Sequence, residues 1–351
     1  MKFCIIVGTR PQIIKTQPII NEIQKTNSKL SIIHTGQHYD FKMSQVFFNE
    51  LKIRKPDLNL NIKPKSSSQQ LGEIIMKLEK PLSRIDPDVV IVPGDTKSAL
   101  GAALSANRLG IKLAHIEAGA RSMEYYMEEE INRRLIDHCS NFLFAPTKNC
   151  FNNLQKESVL GKIFYSGDTM YDIFVEFKKI LKLSTQHRDV ITATLHRKEN
   201  IHNAKNLKNF ISLLRKLSKK NKVIFPIHPH TQKMIKLSNI SLKGVTVLNP
   251  LKYSEMLQLL SKSKILLTDS GGLQKEAYWT KTPCVTFRKS TEWIETLDGK
   301  HNLLLKTIDN LKLNLIEKIL TKKSPSFVYK TQSFGNGHAA KKIISILRKQ
   351  I

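Results

Sequence analysis

Asp95, Glu117 and the run Glu128-Glu129-Glu130 combine the residue types and spacing that proton transfer needs. Asp95 lies in the turn Pro93-Gly94-Asp95-Thr96 after an apolar run, and Glu117 ends the next such run 22 residues on. Strand ends one strand–helix–strand step apart are expected to be neighbours in space. Glu129 and Glu130 open a helical pattern ahead of Asn132 and Arg133, where the helix dipole also favours negative charge. Clustered carboxylates push one another's pKa upward, which suits moving a proton on and off carbon near neutral pH. Taken singly, each acid also fits a plainer role as a helix-start charge in an ion pair.

Anion binding has a different signature. Thr268-Asp269-Ser270-Gly271-Gly272 follows the apolar run Ile265-Leu266-Leu267 and opens a helical pattern over 273–279. Glycines let backbone N–H groups approach an anion, and a helix N-terminus adds favourable partial charge. Ser270 offers a hydroxyl there, and Glu276, one turn further, offers acceptors for ribose hydroxyls; a serine-capped strand-to-helix turn is the plainer alternative. Gly8-Thr9-Arg10-Pro11-Gln12 has a single glycine, so it is no dinucleotide fingerprint. Arg10 can still clamp a phosphate with two N–H groups, and Lys15 sits roughly one turn into the following helix; a surface ion pair is the alternative for both.

His196, in His196-Arg197-Lys198-Glu199-Asn200, can hydrogen-bond a diphosphate or protonate a leaving group. Arg197 is expected to pair with Glu199. His228 and His230 flank Pro229 after the next apolar run, but no Cys or Asp completes a ligand set. They read as histidines lining a binding cleft, His34 and His38 carry the same caution, and no metal is expected.

The elements that position these residues alternate. Near-continuous apolar runs over 3–7, 31–34, 88–92, 112–116, 141–144 and 162–165 read as parallel strands covered on both faces, with helical patterns over 12–24, 70–82 and 96–108 between them. The alternation restarts over 190–194, 222–226, 245–248, 264–268 and 283–287. This is an α/β chain of two doubly wound, Rossmann-like domains facing across a cleft. Residues 1–170 form the domain with the acids and 171–334 the second, the change falling in the helical stretch from Tyr171 and the polar segment Leu183–Arg188. A terminal helix within 335–351 is expected to pack back on the first domain. In such sheets ligands bind beyond the carboxyl ends of the strands.

Composition narrows the partners. The chain carries 57 Lys+Arg against 29 Asp+Glu, a net charge of +28, spread along its length in short pairs such as Lys219-Lys220. That suits an anionic substrate, but no basic-aromatic repeat or zinc-finger spacing points to nucleic acid. No apolar run approaches the ~18 residues of a spanning helix, so no membrane insertion is expected. Met1–Val7 reads as a first strand rather than a signal segment. Cys4, Cys139, Cys150 and Cys284 form no C-x-x-C pair and read as buried thiols in a reducing, cytoplasmic setting.

Taken in order, the motifs resemble the non-hydrolysing UDP-N-acetylglucosamine 2-epimerases from end to end. They are Gly8-Thr9-Arg10-Pro11, Gly36-Gln37-His38, Gly94-Asp95-Thr96, His115-Ile116-Glu117-Ala118-Gly119, Glu129-Glu130-Ile131-Asn132-Arg133, Ala145-Pro146-Thr147, His196-Arg197 and Thr268-Asp269-Ser270-Gly271-Gly272. Gln274, Glu276-Ala277 and Thr291-Glu292 continue the match.

The resemblance implies a glycosyltransferase-B type fold, with UDP held mainly by the second domain, and inversion at sugar C2 without NAD or another cofactor. It implies that the C2 proton leaves as UDP departs from C1, giving a glycal-type enol ether to which UDP re-adds. By position, Asp95, Glu117 and Glu129 become the acid/base residues and His196 the group assisting the diphosphate. Arg10, Ser270, Gly271 and Gly272 hold phosphate, Glu276 the ribose and His228 a further UDP contact, with Lys15 in support. A cytoplasmic homodimer serving cell-surface polysaccharide synthesis is also implied.

Two departures refine this. Met127-Glu128 stands where relatives commonly have proline, which opens the register of the third acid by one residue. Thr291-Glu292-Trp293-Ile294-Glu295 replaces a common Thr-Glu-Arg-Pro-Glu. With His34-Thr35-Gly36-Gln37-His38-Tyr39-Asp40 and Met170-Tyr171-Asp172, it is similar to the branch acting on UDP-2,3-diacetamido-2,3-dideoxyglucuronate. Tyr39-Asp40 and Gln69-Gln70 replace the residues with which bacterial members bind an activating UDP-GlcNAc, so that regulation is not expected. Behind the two epimerase readings stand a hydrolysing epimerase, a glycosyltransferase and a non-catalytic nucleotide-sugar sensor.

Overall fold

A computed structural model of the chain describes residues 1–36, 54–63, 66–183, 188–300, 302–308, 312–321 and 331–351. The apolar runs become strands for the expected reason: Phe3–Val7 and Val89–Pro93 are buried on both faces, and parallel pairing satisfies their backbones. Within the first 176 residues the strands are β1 (Lys2–Val7), β2 (Lys29–His34), β3 (Leu58–Asn59), β4 (Val89–Pro93), β5 (Lys112–Ile116), β6 (Phe142–Ala145) and β7 (Lys162–Tyr165). They form one parallel sheet in the order β3-β2-β1-β4-β5-β6-β7. A second parallel sheet has the order β10-β9-β8-β11-β12-β13, from β8 (Val190–Ala193), β9 (Lys222–Pro226), β10 (Thr246–Leu248), β11 (Ser263–Thr268), β12 (Cys284–Thr286) and β13 (Asn302–Leu304).

Both sheets reverse strand order once, between β1 and β4 and between β8 and β11. These are the topological switch points where open α/β sheets receive ligands. Each sheet has its own core: Ile6, Ile33, Val90, Val92 and Leu113 centre the first, and Ile191, Phe210, Phe225, Leu267 and Phe287 the second.

The chain divides into a unit of Met1–Glu176 with Gln332–Ile351, and a unit of Phe177–Thr331. The division falls inside the helix Thr169–Ile180, six residues beyond the boundary read from sequence. The terminal helix Ala339–Gln350 packs on the helix Arg10–Gln24 of the first unit. Asp172 anchors it by accepting from the backbone N–H groups of Ala339 (3.0 Å) and Ala340 (2.8 Å). No helix among the described residues is long and apolar enough to cross a membrane.

Candidate active site

In the first unit the turn after β4 carries Asp95 and the end of β5 carries Glu117. The strands are adjacent, with Pro93 opposite Ile116 and the Gly94 N–H donating to the Ile116 carbonyl at 2.9 Å. The expected closeness of the two strand ends is therefore real. Gly94 has φ +67°, and a Cβ there would come within 3.0 Å of the Lys15 ammonium. The turn needs glycine for its backbone and for what passes over it. Glu117 itself takes φ +71°, a left-handed conformation that costs a non-glycine residue of order 1 kcal/mol. Such strain collects at functional sites.

The carboxylates do not simply face one another, as the sequence suggested. Lys15 reaches Glu117 Oε1 at 2.6 Å, a pair of side chains only about a tenth exposed. Arg133 approaches Asp95 Oδ2 with Nε at 2.9 Å and Nη2 at 2.6 Å. Each acid thus has a cation beside it, which offsets the mutual repulsion expected from sequence.

The three consecutive glutamates separate by environment. Glu128 lies 3.3 Å from the Lys97 ammonium. Glu130 is fully buried; it accepts from the Ser122 N–H (2.8 Å) and hydroxyl (3.0 Å) and faces Arg133 and Arg134. Burial alone would raise its carboxyl, but the Ser122 bonds and the guanidiniums of Arg133 and Arg121 bring it below the ordinary value. Glu129 is exposed and has no hydrogen-bond or ion-pair partner among the described residues. Of the three, only Glu129 has both access and an uncommitted carboxylate.

A chain of polar and charged side chains, buried from His115 to Arg121, was not visible in the sequence. His115 Nδ1 lies 2.6 Å from Asp137, and its Nε2 lies 2.9 Å from the Gly94 carbonyl oxygen. Asp137 also accepts from Arg121 at 2.7 Å and from the Gly119 N–H at 3.1 Å. Burial pulls the Asp137 carboxyl up, but His115 and Arg121 hold it below its usual range. Arg121 continues to Glu157 at 2.6 Å, and Glu157 to Arg134 at 2.7 Å. Only the packed fold brings these partners together. The clue available in sequence was the polar His115 between Ala114 and Ile116 in the buried part of β5.

The second unit is built differently. Ser270 caps the helix Gly271–Trp279, its hydroxyl accepting from the Leu273 N–H at 3.3 Å. The turn lies after β11 at the switch point, beside the segment after β8 that carries His196. A Cβ on Gly271 would lie 2.7 Å from Glu292 Oε1, 3.2 Å from Arg288 Nη1 and 3.3 Å from Trp293 Nε1. Arg288 and Glu292 form a buried pair at 2.7 Å, and buried Lys275 places its ammonium 3.8 Å from the Trp293 ring centroid. The departure at Trp293 thus comes with a cation–π partner inside the same helix. Gly272 is half-buried, with the Ser270 hydroxyl 3.8 Å from where a Cβ would lie, and Glu276 is buried.

Asp269 organises the His196 turn. Its carboxylate accepts from the backbone N–H groups of His196 (3.1 Å) and Arg197 (2.9 Å) and from the Asn200 amide (3.0 Å). Its Oδ1 lies 3.2 Å from His196 Nδ1, whose side chain is 42% exposed. Burial would raise this carboxyl; the neighbouring His196 and the three donors bring it down to about 2. The expected pairing of Arg197 with Glu199 is present, with Nη1 3.3 Å from Glu199 Oε1. His228 is exposed at the start of the helix Pro229–Leu237, its ring centroid 6.3 Å from that of His196. Arg10 is half-buried at the first position of its helix. No group of three or more metal-ligating side chains occurs among the described residues. His38 and Tyr39-Asp40 lie outside the described residues.

Two doubly wound sheets, with carboxylates at one switch point and an anion-type turn at the other, agree with what comparison with known proteins finds. The family model for UDP-N-acetylglucosamine 2-epimerase matches residues 21–348. A UDP-N-acetylglucosamine 2-epimerase of Methanococcus maripaludis is 42% identical, over 99% of this chain and 98% of its own. The UDP-2,3-diacetamido-2,3-dideoxy-D-glucuronate 2-epimerase of Pseudomonas aeruginosa is 38% identical over 99% of this chain and 100% of its own. The crystal structure of the Methanocaldococcus jannaschii UDP-GlcNAc 2-epimerase in complex with UDP-GlcNAc and UDP superposes with a TM-score of 0.92 at 40% identity, covering 99% of this chain and 100% of that one. A calicheamicin glycosyltransferase, at 11% identity and a TM-score of 0.59 over 99% of this chain and 98% of its own, shares the fold alone. The chain belongs to the UDP-N-acetylglucosamine 2-epimerase family, a family of isomerases.

Proposed function

We propose that the protein inverts C2 of a UDP-N-acetylhexosamine, interconverting UDP-GlcNAc and UDP-ManNAc by elimination and re-addition of UDP. The observation that carries this reading is the placement of Asp95 and Glu117 at adjacent strand ends, each beside a cation, with Glu129 uncommitted on the following helix. One carboxylate removes the C2 proton while the C1–O bond to UDP breaks, which leaves a C1–C2 double bond. A second carboxyl delivers a proton to the opposite face of C2 as the diphosphate oxygen re-attacks C1. Lys15 and Arg133 supply positive charge beside the acids. In the second unit the Ser270-Gly271-Gly272 turn and helix N-terminus receive the diphosphate, and Arg10 is a further phosphate-binding residue. Glu276 takes the ribose hydroxyls, and His196 and His228 contact the departing UDP, His196 being held by Asp269.

Incubation with UDP-GlcNAc in D2O tests this: deuterium is expected at C2 of both epimers, and unlabelled sugar after full equilibration overturns it. The Pseudomonas aeruginosa relative favours a second substrate, UDP-2,3-diacetamido-2,3-dideoxyglucuronate. The same D2O assay on both sugars, read by product NMR, decides between them. Free ManNAc appearing in step with UDP marks the hydrolytic reaction instead. The reading also takes the enzyme to be a cytoplasmic homodimer; light scattering then gives twice the chain mass of 40.1 kDa.

A further inference from the structure

The helix Glu128–Cys139 grips the Gly94-Asp95 turn at three levels. Asn132 donates its side-chain amide to the Asp95 carbonyl at 2.8 Å. Arg133 brings Nε (2.9 Å) and Nη2 (2.6 Å) to Asp95 Oδ2. One turn later, Asp137 holds His115, whose Nε2 lies 2.9 Å from the Gly94 carbonyl oxygen. Backbone on both sides of the peptide link and the carboxylate itself are therefore fixed from one helix.

Arg133 is itself seated. Its Nη1 lies 3.2 Å from Glu130 Oε2, the same oxygen that takes both the N–H and the hydroxyl of Ser122. Glu130 is fully buried and its other oxygen faces Arg134 at 3.3 Å, so it has no free edge for a substrate. A planar guanidinium anchored on one edge can present the other in one orientation only, which a lysine cannot do.

We infer that Arg133, seated on Glu130 and Ser122, is a positioning residue that fixes the Asp95 carboxylate for proton transfer at C2. This rests on the epimerase reading above. The reacting oxygen of an acid/base residue has to stay within a hydrogen bond of one carbon-bound proton, and an error of about 1 Å costs on the order of 10²-fold in rate. Arg133 sets that position without meeting the sugar.

The test compares Arg133→Met, Arg133→Ala, Arg133→Lys and Asn132→Ala with the wild type. The readouts are kcat and KM for epimerisation, C2 deuterium exchange, and UDP affinity by calorimetry. Arg133→Met is expected to lower kcat and exchange roughly 10²-fold while KM and UDP affinity stay within about threefold. Arg133→Lys should recover part of the loss, and millimolar methylguanidine should restore Arg133→Ala where methylammonium does not. Asn132→Ala, which keeps the buried charges paired, should show a smaller loss confined to kcat, so the inference stays testable if Arg133→Met does not fold. Wild-type exchange rates in Arg133→Met, or kcat and UDP affinity falling together without rescue by lysine or methylguanidine, overturn the inference. A wild type that exchanges no UDP-N-acetylhexosamine removes the epimerase reading, and this inference with it; an active wild type beside an equally active Arg133→Met removes this inference alone.

Discussion

The two switch points of this chain use opposite means. In the first unit, side chains dominate: Asp95 and Glu117 are held by Arg133 and Lys15, and a polar chain, buried from His115 through Asp137 to Arg121, runs on through the partly exposed Glu157 and Arg134. In the second, backbone dominates: a serine-capped helix start with two glycines, closed from below by Arg288, Glu292 and Trp293. Moving a proton at carbon needs particular oxygens at fixed points, which only anchored side chains supply. Binding a diphosphate needs several N–H groups around a diffuse charge, which a helix start supplies with little side-chain chemistry. Substitutions that separate rate from affinity test this contrast.

The largest expected effect belongs to Glu117→Gln. It keeps shape but removes the charge facing Lys15. Loss of a general acid or base costs about 10² to 10⁴-fold, so C2 exchange should fall by that range while UDP affinity changes little. UDP affinity falling in parallel with exchange breaks the contrast.

Next is Gly271→Ala. The added methyl meets Glu292 Oε1 at 2.7 Å and crowds Arg288 and Trp293, all of them buried. Overpacking of this kind costs about 1–3 kcal/mol. The turn is expected to shift, with UDP affinity down roughly 10- to 100-fold and kcat at saturating substrate much less affected. Titration calorimetry beside steady-state kinetics reads both, and a change confined to kcat counts against the second unit as the nucleotide grip.

How much of this was legible in the sequence follows from the same physics. Parallel strands covered on both faces read as unbroken apolar runs, so eleven of the strands could be placed, and Asp95 with Glu117 followed from one strand–helix–strand step. The edge strands Leu58–Asn59 and Asn302–Leu304 are short and each includes an asparagine, so neither reads as an unbroken apolar run. Charge partners far apart in the chain leave none either: Lys15 meets Glu117 across 102 positions, and Arg133 meets Asp95 across 38. The register among Glu128, Glu129 and Glu130 needed Ser122 and Lys97 in place, because three identical side chains differ only in what surrounds them.

A moderate effect on stability is expected at Asp269. Its carboxyl falls from 3.8 to about 2 on folding, so it stabilises the fold fully above about pH 4 and loses that contribution as pH drops towards 2. The shift corresponds to roughly 2 kcal/mol. Asp269→Asn should lose about that much at pH 7 in urea unfolding, and the gap to wild type should close between about pH 4 and pH 2. A gap independent of pH assigns the loss to hydrogen bonding and shape rather than to the charge facing His196.

The smallest effect separates two uses of one hydroxyl. Ser270 Oγ accepts from the Leu273 N–H and so caps its helix, and in the proposed function the same hydroxyl donates to phosphate. Losing a serine cap to alanine costs about 1 kcal/mol, whereas glycine at a cap costs only a few tenths. Ser270→Ala should therefore be less stable than Ser270→Gly, because an open backbone lets water reach the freed N–H. If the hydroxyl also meets the diphosphate, both variants weaken UDP by a similar factor of about 5 to 10, since neither can donate. UDP affinity that instead follows stability, poor in alanine and near normal in glycine, leaves the backbone N–H groups of Gly271 and Gly272 as the whole of the grip and makes the contrast with the side-chain site of the first unit sharper still.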